Sequence, residues 1–420
     1  MTSRERVLAA LAHRQPDKVA IDIGATCCST MHVNCFERLR TYYGLPHKPV
    51  EVWDVSSMTG VMTDDLAQAL RIDTAAARTL GTSFGLPRDS FKLWQTNMGQ
   101  EVLVPSSFQP VSDGAGGWYV YPQGDTSLPP SGHMPEASYY FDNIVRGEPV
   151  KDVQSLNPDE QIEEFQLFTD KDIAYIKRDV EKAYATGRAV VFSMPGLGLG
   201  DISEIPGPGL KQPKGIRTIE DWYVAPLLYP DYVMEVFDRQ TDRAIKNLET
   251  LNALCGDQID LLYACGTDFG HQTGQFLSVD TFREIYLPFY QKVNGWVHKN
   301  TKWKIIKHSC GAVAPLIPSF IDAGFDALNP VQCSAQGMEP ERLKREFGAD
   351  ITFWGGGVDT QKVLPFGTPD EIRRQVLERL DIFSKDGGYV FDAIHVIQGN
   401  VPTENIVAMI DAVHEFNGDR

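Results

Sequence analysis

Basic residues are scarce in this chain: its 420 residues carry 39 Lys and Arg against 56 Asp and Glu, a net charge of −17 at pH 7. Binding to nucleic acid or to an anionic lipid surface draws on clustered cations, so neither is an expected partner. Long apolar runs are also missing. None approaches the ~18 residues of a membrane span, and Met1-Thr2-Ser3-Arg4-Glu5-Arg6 lacks the apolar centre of an export signal. A cytoplasmic protein is the expectation. Cysteine is sparse and odd in number, seven in all, which disfavours a disulfide framework and leaves metal, catalytic or buried-thiol roles.

What is present supports a packed core, at 42% hydrophobic and 23% charged residues. Thr2 and Glu5 form a capping-box pattern ahead of Val7, Leu8 and Leu11 at helical spacing, and Pro16 follows the end of that helix. Beyond it, eight short, mostly apolar runs read as strands, at 19–23, 71–75, 188–194, 258–264, 302–307, 325–331, 351–354 and 389–393. Helical patterns separate them. Eight strands alternating with helices predict a (β/α)8 barrel, with a doubly wound sheet as the second choice. The chain is read as one barrel domain over 1–420. Residues 81–165 differ in character, rich in Gly, Pro, Ser and aromatics, and are read as an insertion. Inside it, the extended runs 101–104 and 118–121 flank Ser112-Asp113-Gly114-Ala115-Gly116-Gly117 and are expected to pair as a β-hairpin. Its aromatics are expected mainly in its own core.

Barrel active sites lie where strands end. The C-terminal edges carry Thr26, Cys27 and Cys28 after the first strand; Cys265, Asp268 and Gln272 after the fourth; and His308 and Cys310 after the fifth. Gln332 and Cys333 follow the sixth, Asp359 the seventh, and His395 and Gln398 the eighth. Side chains two apart in an extended segment share a face, so His308 and Cys310 are positioned as a chelate. Strands five, six and eight are close enough around a small barrel for His308, Cys310, Cys333 and His395 to converge, a His/Cys set of the kind Zn2+ prefers. Cys27 and Cys28 cannot both face the pocket if their segment is extended, and Cys265 is expected behind its loop. Asp359 reads equally as a pocket acid or a helix cap. Gly196-Leu197-Gly198-Leu199-Gly200 lacks the Lys-Ser/Thr of a phosphate loop and is read as a turn.

His308-Ser309-Cys310-Gly311, Asn329-Pro330-Val331-Gln332-Cys333-Ser334-Ala335 and Phe353-Trp354-Gly355-Gly356-Gly357-Val358-Asp359-Thr360-Gln361 resemble the uroporphyrinogen decarboxylase-like superfamily, in its branch of zinc-dependent, corrinoid-linked methyltransferases. The resemblance runs from the first helix to Pro402-Thr403-Glu404-Asn405-Ile406 and implies a (β/α)8 barrel. It implies zinc on His308 and Cys310, with Cys333 preferred as the third ligand and His395 as a ligand or proton-handling residue. The arginine-rich segment that decarboxylases carry after the first strand is absent from Ile23-Gly24-Ala25-Thr26-Cys27-Cys28-Ser29-Thr30-Met31-His32. The implied reaction is methyl transfer between a small methylated substrate, with a lean toward a methoxylated aromatic, and a corrinoid (cobalamin) brought by a partner protein. Asp268, Asp359 and His395 are the candidates for proton handling; Gln272, Gln332 and Gln398 are those for substrate contact. A decarboxylase-like lyase, or a non-catalytic member that binds a ligand or the corrinoid protein, are the alternatives. A homodimer is left open.

Overall fold

In the computed structural model, which describes residues 1–264 and 266–419, all eight expected strands form one parallel sheet. They are β1 (Ala20–Ile21), β2 (Thr74–Ala77), β3 (Ala189–Met194), β4 (Leu261–Ala264), β5 (Lys304–His308), β6 (Ala327–Asn329), β7 (Thr352–Trp354) and β8 (Tyr389–Phe391). Their order around the sheet is β1-β8-β7-β6-β5-β4-β3-β2, as a (β/α)8 barrel requires. Cys265, expected behind its loop, lies outside the described residues.

The seam between β1 and β2 is bridged by Thr74, whose hydroxyl donates to the Asp22 carboxylate, and by Asp73. Asp73 donates its amide to the Ile21 carbonyl at 2.9 Å, and its carboxylate accepts the Ile21 amide at 3.0 Å. Asp260, ahead of β4, makes the same exchange with Val190, and Asp326, ahead of β6, makes it with Ile305. Each carboxylate also meets a cation: Arg6 for Asp73, Arg4 for Asp260 and Lys304 for Asp326. The N-terminal rim is thus stapled at the starts of β2, β4 and β6, at the end of the barrel away from the one where such folds place their chemistry.

Helix α1 (Ser3–Leu11), with its Thr2/Glu5 capping box in place, covers that N-terminal end. Val7, Ala10 and Leu11 join Ala20, Val191, Leu261, Ile306, Ala327 and Val390 in a buried cluster inside the barrel, while the opposite face of the strands packs on the surrounding helices. Inside and outside alternate along each strand: on β5, Ile306 belongs to the inner cluster and Ile305 to the outer one. This parity turns His308 inward. No helix among the described residues is long and apolar enough to cross a membrane.

The hairpin expected between 101–104 and 118–121 is not made. Glu101–Pro105 pairs antiparallel with Phe91–Gln95 and parallel with Val50–Asp54, whereas Trp118–Val120 lies in a second sheet between Val111–Ser112 and Gly132–Met134. Each run takes the neighbour across its own tight turn. Thr96 and Gln100 close the first turn, and the Asp113 carboxylate, accepting the Ala115 and Gly117 amides, closes the second. The aromatics Trp94, Phe108, Trp118 and Phe141 pack edge to face between these sheets, so they form core, as expected.

Replacing Asp73 with Ala leaves the Ile21 amide and Arg6 without their buried partner. Denaturant unfolding should register a loss of about 2–4 kcal/mol; an unchanged midpoint would show that the seam does not depend on this residue.

Candidate metal centre

His308 closes β5, buried and facing into the barrel mouth. Its Nδ1 lies 2.6 Å from Asn329 Oδ1, directly across in the β5–β6 register. The Asn329 amide nitrogen donates to the Trp354 carbonyl at 3.0 Å, which turns the amide oxygen toward the imidazole. Nδ1–H therefore donates to Asn329, and Nε2 presents its lone pair to the mouth when the ring is neutral. A hydrogen bond from the second nitrogen is how proteins orient a metal-binding histidine.

Nε2 stands 3.5 Å from Cys310 Sγ. Bonds of about 2.1 Å to nitrogen and 2.3 Å to sulfur in a tetrahedral zinc site put the two donors about 3.6 Å apart, so the pair already has the spacing of a chelate. The loop after β5 is held by its neighbours. Asp268 accepts the Cys310 amide at 2.7 Å, Gln332 Oε1 accepts the Gly311 amide at 2.8 Å, and Ser309 Oγ accepts the Phe269 amide at 2.9 Å. Gly311 has φ +87°, and a Cβ there would meet the Gly270 backbone, so the turn that presents Cys310 requires glycine.

Two groups of donor atoms lie within 4.8 Å of one another, and both contain His308: one adds Asp268 and Cys310, the other Cys28 and His395. The His308 and His395 rings sit 5.5 Å apart, edge to face. Burial opposes a charge on His308, but Cys310 and Asp268 outweigh it and take the imidazole pKa up to about 9. Burial raises the Cys310 thiol, with His308 pulling the other way. His395 is lowered to about 4, first by burial and then by the charge of His308. A His/Cys/carboxylate set that can lose its protons to a cation suits Zn2+.

The rim is only partly as expected. His308, Cys310, Asp268 and His395 converge; Cys333, expected as the third ligand, joins neither group. Regular strand ends at Asn329, and Val331 takes φ +55°, so the alternation that would aim Cys333 inward is lost. Its thiol faces the Val331 and Gly356 carbonyls, and burial pushes its pKa up to about 12. Asp359, expected as a pocket acid or a helix cap, closes a turn: its carboxylate accepts the Gln361 and Lys362 amides ahead of the helix Val363–Phe366, whose cap position is Lys362. Gln332 holds the β5 loop through Gly311. Gln272 is exposed, and Gln398 receives the Cys35 thiol on its backbone carbonyl.

Two features of the site were not resolved by the sequence: the role of Asn329 and which of Cys27 and Cys28 faces the mouth. Asn329 orients the histidine, and its place opposite His308 is legible only from strand register. Cys28 reaches the mouth because 24–29 is a closed turn rather than an extended segment: Gly24 donates to the Ser29 carbonyl, and Thr26 Oγ1 accepts the Cys28 and Ser29 amides. Beneath the donors, Asp22 is saturated by Ala25, Thr74 and Trp354. Asp392 beside it is raised well above the carboxylate range by burial and then by Asp22.

The fold agrees with what the chain resembles among known proteins. The uroporphyrinogen decarboxylase (URO-D) family model matches residues 214–416. The uroporphyrinogen decarboxylase of Methylococcus capsulatus is 30% identical over 101 residues, 24% of this chain and 27% of that protein. That of Pseudoalteromonas atlantica is 21% identical over 271 residues, 56% of this chain and 73% of that protein. The matches to the M. capsulatus enzyme and to those of Vesicomyosocius okutanii and Pseudoalteromonas translucida span about a quarter of each, 22% to 27%. A methyltransferase from Methanosarcina mazei superposes with a TM-score of 0.54 at 17% identity, over 99% of both chains, and shares the fold. The matched region, residues 214–416, holds β4 to β8 and the His308–Cys310 pair, and there the chain is similar to the uroporphyrinogen decarboxylase family.

Asn329→Leu should weaken zinc binding about 10–100-fold in a competition titration, as loss of a histidine-orienting partner does, while Cys333→Ser should leave it unchanged. The opposite ranking would move the site to β6.

Proposed function

We propose that this protein transfers a methyl group between a small methylated compound and a corrinoid carried by a separate protein, using Zn2+ held by His308 and Cys310. The observation that carries this reading is the 3.5 Å approach of His308 Nε2 to Cys310 Sγ, with Nδ1 tied to Asn329. The end-to-end fold likeness to a methyltransferase is in keeping with it. Bound Zn2+ supplies a Lewis acid that favours the anionic form of the heteroatom gaining or losing the methyl group. His308 and Cys310 fix where that atom sits, and Asp268 holds Cys310 through its amide. His395, neutral at pH 7, offers a hydrogen-bond acceptor at the lip of the site.

Tyr263, on β4, places its ring 5.9 Å from that of His308, and two further rings come from the segments after β3 and β4. Tyr223 and Phe276 lie 4.9 Å apart, and burial and then the charge of Asp268 raise the Tyr223 phenol. An aromatic wall beside the donors supports a methoxylated aromatic as the methyl donor.

A metal-independent decarboxylase is the second reading, favoured by the family match. Against it stands the absence of arginine from the turn after β1, which leaves a polycarboxylate substrate without that cation.

The zinc-loaded protein should methylate free cob(I)alamin from 2-methoxyphenol, followed by the absorbance change of the cobalt centre. Chelation or Cys310→Ala should cut the rate at least about 100-fold. Transfer that survives chelation contradicts the role of zinc. Release of CO2 from uroporphyrinogen by metal-free protein establishes the second reading.

A further inference from the structure

His308 is shared by two donor groups, and the proposed function uses one of them. The other brings Cys28, from the turn after β1, and His395, from the loop after β8, within 4.8 Å of each other and of a ring nitrogen of His308. Cys28 is half-buried at the mouth. Its turn is braced at both ends: the Asp22 carboxylate accepts the Ala25 amide at 3.1 Å, and the Gly24 amide reaches the Ser29 carbonyl at 2.9 Å. Gly24 takes φ +104° at this close approach, where a Cβ would press on Met62. Asp22 is itself fixed by Thr74 and Trp354, so the turn is anchored to the barrel rather than free to swing.

We propose that Cys28 is the third protein ligand of the zinc held by His308 and Cys310, in the place that Cys333 cannot reach. This inference rests on the zinc reading above and extends it. Cys28 and Cys310 belong to separate groups that meet at His308, so the Cys28 side chain turns toward Cys310 when the ion binds, which gives a Cys2His set from the loops after β1 and β5 and leaves the fourth tetrahedral position for substrate. Thiolate is the softer donor and suits zinc better than the Asp268 carboxylate, which is already engaged by the Cys310 amide. His395 then stays off the metal, beside the open position. Cys27, with Sγ 3.8 Å from that of Cys28, lies in neither group and serves as the control for thiol chemistry in the same turn.

The test uses the full chain loaded with Co2+ or Zn2+, as wild type and as Cys28→Ser, Cys310→Ser, Cys333→Ser and Cys27→Ser. The expected result is that Cys28→Ser and Cys310→Ser each weaken zinc at least about 100-fold against a chelator. Each should also remove about half of the thiolate-to-cobalt absorption per bound cobalt. Cys333→Ser and Cys27→Ser should match wild type. Should Cys28→Ser not fold, the 113Cd resonance of the cadmium-loaded wild type counts the thiolates directly, and a single-thiolate shift overturns the proposal. Cys28→Ser binding as wild type while Cys310→Ser fails sinks the Cys28 assignment and leaves the zinc reading intact. A wild type that binds no zinc removes the zinc reading itself, and the ligand assignment with it.

Discussion

The hydrogen bond from His308 to Asn329 joins the barrel to its chemistry. Asn329 is held by the Trp354 carbonyl on one side and faces His308 on the other, so three adjacent strands, β5, β6 and β7, together decide which imidazole nitrogen meets the mouth. Strand parity places the ring inside, and the amide sets its tautomer. The turn through Gly311, pinned by Asp268 and Gln332, then brings Cys310 to within chelating distance. A donor pair held by packed strands needs little reorganisation to accept a cation, which is the requirement for a precise site.

The two ends of the barrel divide the labour. At the N-terminal rim, Asp73, Asp260 and Asp326 meet cations and exchange bonds with the preceding strand, which serves closure of the sheet. At the C-terminal rim, Asp22 and Asp392 are buried, with the charged form of each opposed first by burial, and two histidines and two thiols stand near them. Burial holds these acids toward their neutral form, and a cation entering the mouth would favour the loss of their protons. The same residue type thus stabilises one end and tunes the other.

The architecture was legible because each strand is a short apolar run bounded by Gly, Pro or a polar turn, and the 19–23 and 389–393 runs already marked the two strands that meet at Ala20 and Val390. The His308–Cys310 pair was legible because the apolar run stops at His308 and Cys310 follows two residues on, although β5 ends at His308 and the turn through Gly311 is what presents the thiol. What lay beyond reach depended on contacts between segments distant in sequence. Cys333 was misplaced because β6 stops at Asn329 and the chain turns through Val331, which apolar patterning does not reveal. Which of Cys27 and Cys28 faces the mouth was beyond reach because it depends on how Thr26 and Ser29 close the turn after β1. The hairpin partners in the insertion were mistaken because the Thr96–Gln100 turn, not the glycine-rich one, sets the pairing of Glu101–Pro105.

The central claim is that a metal sits between His308 and Cys310. Crystals grown with Zn2+ and measured on both sides of the zinc absorption edge test it directly. The account predicts an anomalous peak bonded to His308 Nε2 and Cys310 Sγ at about 2.0–2.4 Å. A zinc-bound crystal whose peak lies elsewhere, beside Cys333 or on surface carboxylates alone, would contradict it.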